Sequence, residues 1–448
     1  MSFPRYPNYK ESGVEWLGVV PEHWKLKRVG HIADLIAGFA FPSDQFAFES
    51  NEGIPLVRGD NVTEGWLRWG EKGRYWPFGL GYDSRYLLAP NDIVIQMDGS
   101  KVGKNWAFVS EADLPALLVQ RVTRVRVNAA VPRFIYSLFS NEMFVHYVDR
   151  AKTDPAVPHI TMKNISDYWV PLPPESEQVA IVCFLDRETS KIDSLVAEQR
   201  RLIELLKEKR QAVISHAVTK GLNPHAPMKP SGIQWLGDVP AHWQLRRVKT
   251  VSSFVTSGPR GWSERIGETG SLFVQSGDLN DQMEVEFMTA KRVQVENDAE
   301  STRTRMREGD VVVCVTGAKT GNVAVCNIIP EPAYVNQHLC LIRPTPDVLP
   351  SFLGVLLKSR LGQIYFEISQ YGLKQGLSLE DVEEAPVILP PVNEQQEIIA
   401  LLDTETAKLD ALTSEAERAI ELLQERRTAL ISAAVTGKID VRHLVEVN

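Results

Sequence analysis

The sequence predicts an α/β protein that uses one unit twice: two α/β globules joined by two long antiparallel helices forming a coiled coil, an internal duplication about a pseudo-twofold axis. Three observations predict it. "YKESGVEWLGVVPEHWKLKRV" at 9–29 returns as "MKPSGIQWLGDVPAHWQLRRV" at 228–248, with Trp16, Pro21, His23 and Trp24 matched by Trp235, Pro240, His242 and Trp243. "VPLPPESEQVAIVCFLDRETSKIDSL" from Val170 returns as "VILPPVNEQQEIIALLDTETAKLDAL" from Val387. Between these phrases, strand-like runs recur in the same order in both copies.

In chain order, residues 1–170 form the first globule, 171–222 the first helix, 223–387 a linker and the second globule, and 388–448 the second helix and tail. Each opening phrase reads as a clamp that seats a globule against the end of a long helix, with Trp16 and Trp24, or Trp235 and Trp243, as apolar anchors. Inside the globules "IPLVRGDN" (54–61) matches "LFVQSGDL" (272–279), "NDIVIQM" (91–97) matches "GDVVVCV" (309–315), and "LLVQRVTRVRV" (117–127) matches "AYVNQHLCLIRP" (333–344). β-Branched runs bounded by Gly, Asp and Pro predict strands. "RFIYSLFSNEMFVHYV" and "SFLGVLLKSRLGQIYF" carry apolar residues at helical spacing. After Pro174 and Pro391, which can start a helix but not sit inside one, Leu185, Ile192, Gln199, Leu206 and Val213 recur every seven residues, joined by Leu195 and Leu202. The second copy repeats this as Leu402, Leu409, Ala416, Leu423 and Leu430. Such sevens predict coiled-coil packing, and the Gly of "TKG" and "TGK" stops each helix.

Composition excludes several classes. With 44% hydrophobic and 24% charged residues the 448-residue chain is globular rather than disordered, and no apolar run predicts a membrane span or a secretory leader, so a cytoplasmic location is expected. Cys183, Cys314, Cys326 and Cys340 lack C-x-x-C spacing and read as buried small hydrophobes, with no metal site. "DGSKVGKN" and "TGAKTGN" lack the spacing of a phosphate-binding loop. The Pro-Pro pairs have no preceding Asn, so the adenine-holding loop of a methyltransferase is missing. His23 and His242 repeat without an accompanying acid or nucleophile constellation and read as structural. No catalytic residue and no bound cofactor is therefore expected.

The order of Trp-rich entry, variable globule, "LPP..EQ" and long helix, together with "TGAKTGNVAV" and the "VTKGL" helix ending, resembles the specificity subunit of type I restriction-modification systems over residues 9–440. The resemblance implies that each globule is a target recognition domain reading one half of a split sequence in double-stranded DNA. It also implies that the helices set the unread gap and that two methyltransferase subunits grip the helical core, here represented by Leu185, Ile192, Leu206, Leu402, Leu409 and Leu423. S-adenosylmethionine, ATP and Mg would sit on partner subunits, among them nuclease-translocase subunits. The net charge of −8 and near-neutral globules point to a subunit that holds DNA together with partners.

Loop chemistry selects the candidate DNA contacts. Ser100, Lys101, Lys104 and Asn105 crowd one Gly-bearing turn, and Arg124 and Arg126 share a strand face by period two. Lys319, Thr320 and Asn322 hold the matching turn. "SGPRGWSER" and "YGLKQG" add Arg260, Arg265, Lys374 and Gln375. Arg and Gln can pair with guanine and adenine edges, while Lys and Ser mostly hold phosphates. Two other readings have the same repeat: a self-sufficient modification enzyme, which the missing methyltransferase loop opposes, and a methyltransferase-binding scaffold or antirestriction protein that does not read DNA, which the Arg-bearing loops oppose.

Overall fold

Pro174 and Pro391 stand immediately before the two longest elements of the computed structural model, helices Glu175–Lys220 and Val392–Val435. Gly221 and Gly437 follow them with φ of 72° and 71°, left-handed values that favour glycine. The structure describes residues 3–152, 158–370 and 376–444. It divides into two units, one of residues 1–199 with 418–448 and one of residues 200–417.

In the first unit a five-stranded sheet has the order Ala33–Ala37, Val122–Val127, Ile93–Gln96, Trp106–Phe108, Glu64–Gly65. A second sheet orders Leu117–Leu118, Gly53–Val57 and Tyr75–Pro77. Helices Pro132–Phe139 and Glu142–Ala151 cover the first sheet, and Phe134, Phe139, Phe144, Ile95 and Val125 meet in its core. The start of the first long helix and the end of the second join that core antiparallel, through Ile192 and Leu430 and an Arg427–Asp193 ion pair of 3.0 Å.

The second unit repeats the plan. Its main sheet orders Ser252–Ser257, Leu339–Pro344, Val311–Cys314, Val323–Val325, under helices Pro350–Lys358 and Arg360–Ser369. A companion sheet orders Ile266–Gly267, Lys291–Val293, Ser271–Val274, Ala333–Val335. The late part of the first long helix and the early part of the second pack here through Ala217, Val218, Ile398 and Leu402, with Arg210 3.3 Å from Asp410.

The repeated phrases acquire physical roles within each unit. Trp24 is fully buried, its indole N–H donates to Glu177 at 2.9 Å, and His23 Nε2 lies 2.8 Å from the same carboxylate. Trp243 and His242 contact Glu394 at 3.0 and 2.8 Å. The histidines therefore do have an acid partner, at the first turn of a long helix more than 150 residues away in sequence. The next residue of each phrase, Gln178 or Gln395, is buried and accepts the backbone N–H of Val131 or Leu349 at 2.8 Å, where a globule helix starts. Each "EQ" thus fastens an opening phrase and a globule to a long helix. A Cβ on Gly437 would collide with Pro21 and approach Trp24 to 3.1 Å, and one on Gly221 would approach Trp243 to 3.1 Å. The expected clamp is present at both helix ends.

Two expectations change. Cys314, Cys326 and Cys340 are buried, but Cys183 is exposed on the first long helix. Leu195 and Leu202, placed in the seam by the seven-residue spacing, face outward. The sevens at Leu185, Ile192 and Leu206 stay buried, and their inward companions are Val196 and Ile203, one position on from the two outward leucines.

Candidate nucleic-acid interface

The two turns singled out by sequence sit at equivalent places, at the end of the strand Ile93–Gln96 or Val311–Cys314. In the first, Lys104 N–H closes onto Lys101 O at 2.9 Å, and Gly103 at φ 82° leaves no room for a Cβ beside Val148. Ser100, Lys101 and Lys104 are exposed. Asn105 instead donates to Gln96 at 2.6 Å and braces the turn. In the second turn Lys319 is exposed and donates to Gly277 O and Leu279 O at 3.2 and 3.1 Å, and Thr320 donates to Gly317 O at 2.7 Å. Asn322 is buried between Leu279 O and the Lys358 ammonium, which removes it from the surface.

Arg124 and Arg126 are corrected in the same way. Arg124 is 5% exposed and spends its guanidinium on the Asp34 carboxylate and Arg85 O. Arg126 grips Asp92, itself 1% exposed, through two bonds of 2.7 Å. The second unit repeats that fork as Arg343 on Asp310 at 2.8 and 2.7 Å. Burial pushes the Asp310 carboxyl up, against the pull of Arg343. A buried carboxylate calls for a fixed cation, so the partly exposed Arg126 and Arg343 serve as counter-charges to Asp92 and Asp310.

Arg260 is exposed, and Arg265, also exposed, lies 5.9 Å over the buried Trp262 ring. Lys374 and Gln375 lie outside the described residues. The six helix residues assigned to partners are covered by the chain itself. Leu185, Ile192, Leu206, Leu402 and Leu409 are buried and Leu423 is partly buried, inside the units' own cores. The apolar side chains left on the helix exteriors are Leu195, Leu202, Leu205, Leu401, Leu412 and Leu422.

Sequence reasoning missed two surfaces. In the first unit Phe48, Trp66 and Phe78 are exposed, with the Arg74 guanidinium 4.6 Å over Phe48; the density of Trp and Arg in "GWLRWGEKGRYW" (65–76) was the available signal. The other surface is a corner in each unit where a run read as one strand is two strands of different sheets. The break falls at Gln120–Arg121 in the first unit and Gln337–His338 in the second. Arg121, with φ of 72°, lies 3.0 Å from Asp98. Met97, Asp98, Gln120, Arg121 and His159 line an open groove of about 550 Å³. At the equivalent place Thr316 is hydrogen-bonded to His338 Nδ1, whose other ring nitrogen is 3.3 Å from Gln337. Among the described residues no group of three His, Cys, Asp or Glu could hold a metal, and no helix is long and apolar enough to cross a membrane.

Two α/β units of one plan each carry a polar corner beside a Lys-bearing turn, exposed at Gln120 and Arg121 and half-buried at Gln337 and His338. The chain belongs to the family described as the type I restriction modification DNA specificity domain, whose model matches residues 21–205 and 265–422. It is similar to the type I restriction enzyme EcoBI specificity subunit of Escherichia coli, with 25% identity over 97% of this chain and 90% of that one. It is also similar to the MjaVIII specificity subunit of Methanocaldococcus jannaschii, with 22% identity over 99% of both. Among solved structures, a chain from a study of complex assembly and conformational transition of the type I R-M system shares the fold at a TM-score of 0.71. It is 18% identical, with 93% of this chain and 98% of that one covered. The HsdS subunit from Thermoanaerobacter tengcongensis gives 0.55 at 18% identity, covering 95% and 99%.

Proposed function

We propose that this chain is the DNA-recognition subunit of a type I restriction-modification complex, and that each unit reads one half of a two-part DNA target. The observation that supports this most is the duplication itself: the same turn and the same corner occur in both units with different side chains. One architecture carrying two different readers suits a target with two different halves. The long helices, one of which runs from the first unit into the second, would set the unread length between them.

In this reading the chain contributes recognition and no chemistry. S-adenosylmethionine, ATP and Mg belong to partner subunits, and two methyltransferase subunits bind, one for each copy of the repeat. The exposed Leu195 and Leu205 with their counterparts Leu412 and Leu422, joined by Leu202 and Leu401, give those subunits an apolar foothold in place of the buried seam. Nuclease-translocase subunits complete the complex.

Methylation mapping tests this. Exchanging residues 244–387 for the second globule of another family member, in a complex with methyltransferase subunits, should change one half of the methylated sequence and keep the other. Inserting four residues between Glu198 and Arg201 adds about 6 Å of helix and should lengthen only the gap, by one or two base pairs at about 3.4 Å each. A change in both halves, or methyl transfer by the purified chain alone, contradicts the proposal.

A further inference from the structure

The corner between the two sheets is held the same way in both units, while its side chains differ. In the first, Gly38 lies so close to the backbone of Val119 that any Cβ would collide with it; in the second, Gly258 meets the backbone of Val335 and Asn336 in the same way. Val119 N–H then closes onto Val57 O at 3.1 Å and Asn336 N–H onto Val274 O at 3.0 Å, while Arg121 O accepts from Met97 N–H and His338 O from Val315 N–H, each at 2.9 Å. The backbone under each doublet is therefore fixed by contacts that do not involve its side chains.

Above that backbone the chemistry changes in a coordinated way. Gln is common to both doublets. Arg121 beside Asp98 in one unit becomes His338 beside Thr316 in the other, so a charged pair is replaced by a neutral-capable one at the same place. Arg121 keeps a left-handed backbone that is strained for a non-glycine residue. A purely structural joint there would be served better by Gly or Asn. Its side chain is 70% exposed, so Asp98 orients the guanidinium without covering it. The exposed Lys101 and Lys104 stand in the turn that continues from Asp98, with the right chemistry for backbone phosphates.

We propose that Gln120 with Arg121 and Gln337 with His338 are the base-reading pairs of the two units, with Asp98 and Thr316 as positioning residues. This rests on the DNA-reading function proposed above and names the side chains that perform it. Arg121 presents paired donors to guanine O6 and N7, and each Gln can pair with adenine N6 and N7.

The test is methylation mapping of the complex assembled with its methyltransferase subunits. Arg121→Ala should relax one guanine position in one half-sequence, lowering discrimination there roughly 5- to 150-fold, and Gln120→Ala should relax a neighbouring position. Arg121→Lys keeps the charge but cannot make two parallel bonds, so it should relax the same guanine while overall DNA affinity persists. Gln337→Ala and His338→Ala should relax positions in the other half only. A uniform fall in methylation with no position relaxed, or relaxation in both halves from one variant, overturns the assignment. A wild-type complex whose methylated sequence has no two-part form overturns the function proposed above, and that result appears before any variant is made.

Discussion

Replacing Glu177 by Ala should destabilise the first unit more than Glu394→Ala destabilises the second. Glu177 is 5% exposed and accepts from the Trp24 indole, His23 and the Tyr6 hydroxyl. Trp24 and Tyr6 are buried, so truncation orphans two donors that water cannot reach, at about 1–3 kcal/mol each. Relief from holding a buried carboxylate returns part of this, leaving a net loss of about 2–4 kcal/mol. Glu394 is 19% exposed and serves only one buried donor, Trp243, since the half-exposed His242 can turn to water. By the same bookkeeping its loss is about 1–2 kcal/mol. Hydrogen exchange of the peptides 9–29 and 228–248, read as local opening free energies, measures the two separately. An equal or larger loss from Glu394→Ala would refute the reasoning that Tyr6 makes the first clamp the stronger.

Arg126→Ala and Arg343→Ala should each leave a buried carboxylate unpaired, Asp92 or Asp310, and cost about 3–5 kcal/mol in denaturant unfolding. Neither should alter the methylated sequence, in contrast to Arg121→Ala. Asp440 receives two side-chain bonds of 2.9 and 2.7 Å from Arg442 and one from its backbone N–H, which hold its carboxyl below the usual range. Its folded pKa is depressed, so its stabilisation is present above the unfolded value near 4 and is lost as pH falls through the folded value. The stability gap between wild type and Asp440→Asn, measured from pH 7 downward, should therefore close only below about pH 4.

The duplicated phrases made the architecture legible because they mark covalent order: where a helix starts, where it stops and which sections are equivalent. The strand runs at 93–96 and 311–314 were legible for the same reason, as short β-branched segments between turn residues. What sequence could not supply was the partner of each charge. Period two puts Arg124 and Arg126 on one face of a strand, but only the sheet order brings Asp34 from one neighbouring strand, and Asp92 beside the other, to meet them. Asn322 looks like a turn residue until Lys358, thirty-six residues on, arrives over it. The corner at Gln120 was hidden inside a run that reads as one strand, because nothing in 117–127 announces that the chain changes sheets at Arg121. The seam was read one step too simply, since a leucine that recurs every seven residues is either buried in a unit or left outside it, and spacing alone does not separate the two.

The first unit is closed by residues from both ends of the chain: Pro4 O accepts the Asp440 N–H, Tyr9 donates to Gly437 O, and the Arg442 guanidinium lies over the Tyr6 ring. On the ribosome this inverts the usual order of completion. Every residue of the second unit, 200–417, has been joined before the first unit receives residues 418–444. At about 5–20 residues per second, Pro21 and Trp24 wait on the order of 20 to 80 s for Gly437 while the rest of the chain between them is made. The unit encoded first is thus the last to be finished, and its indole needs shelter from chaperones or neighbouring chains throughout that interval.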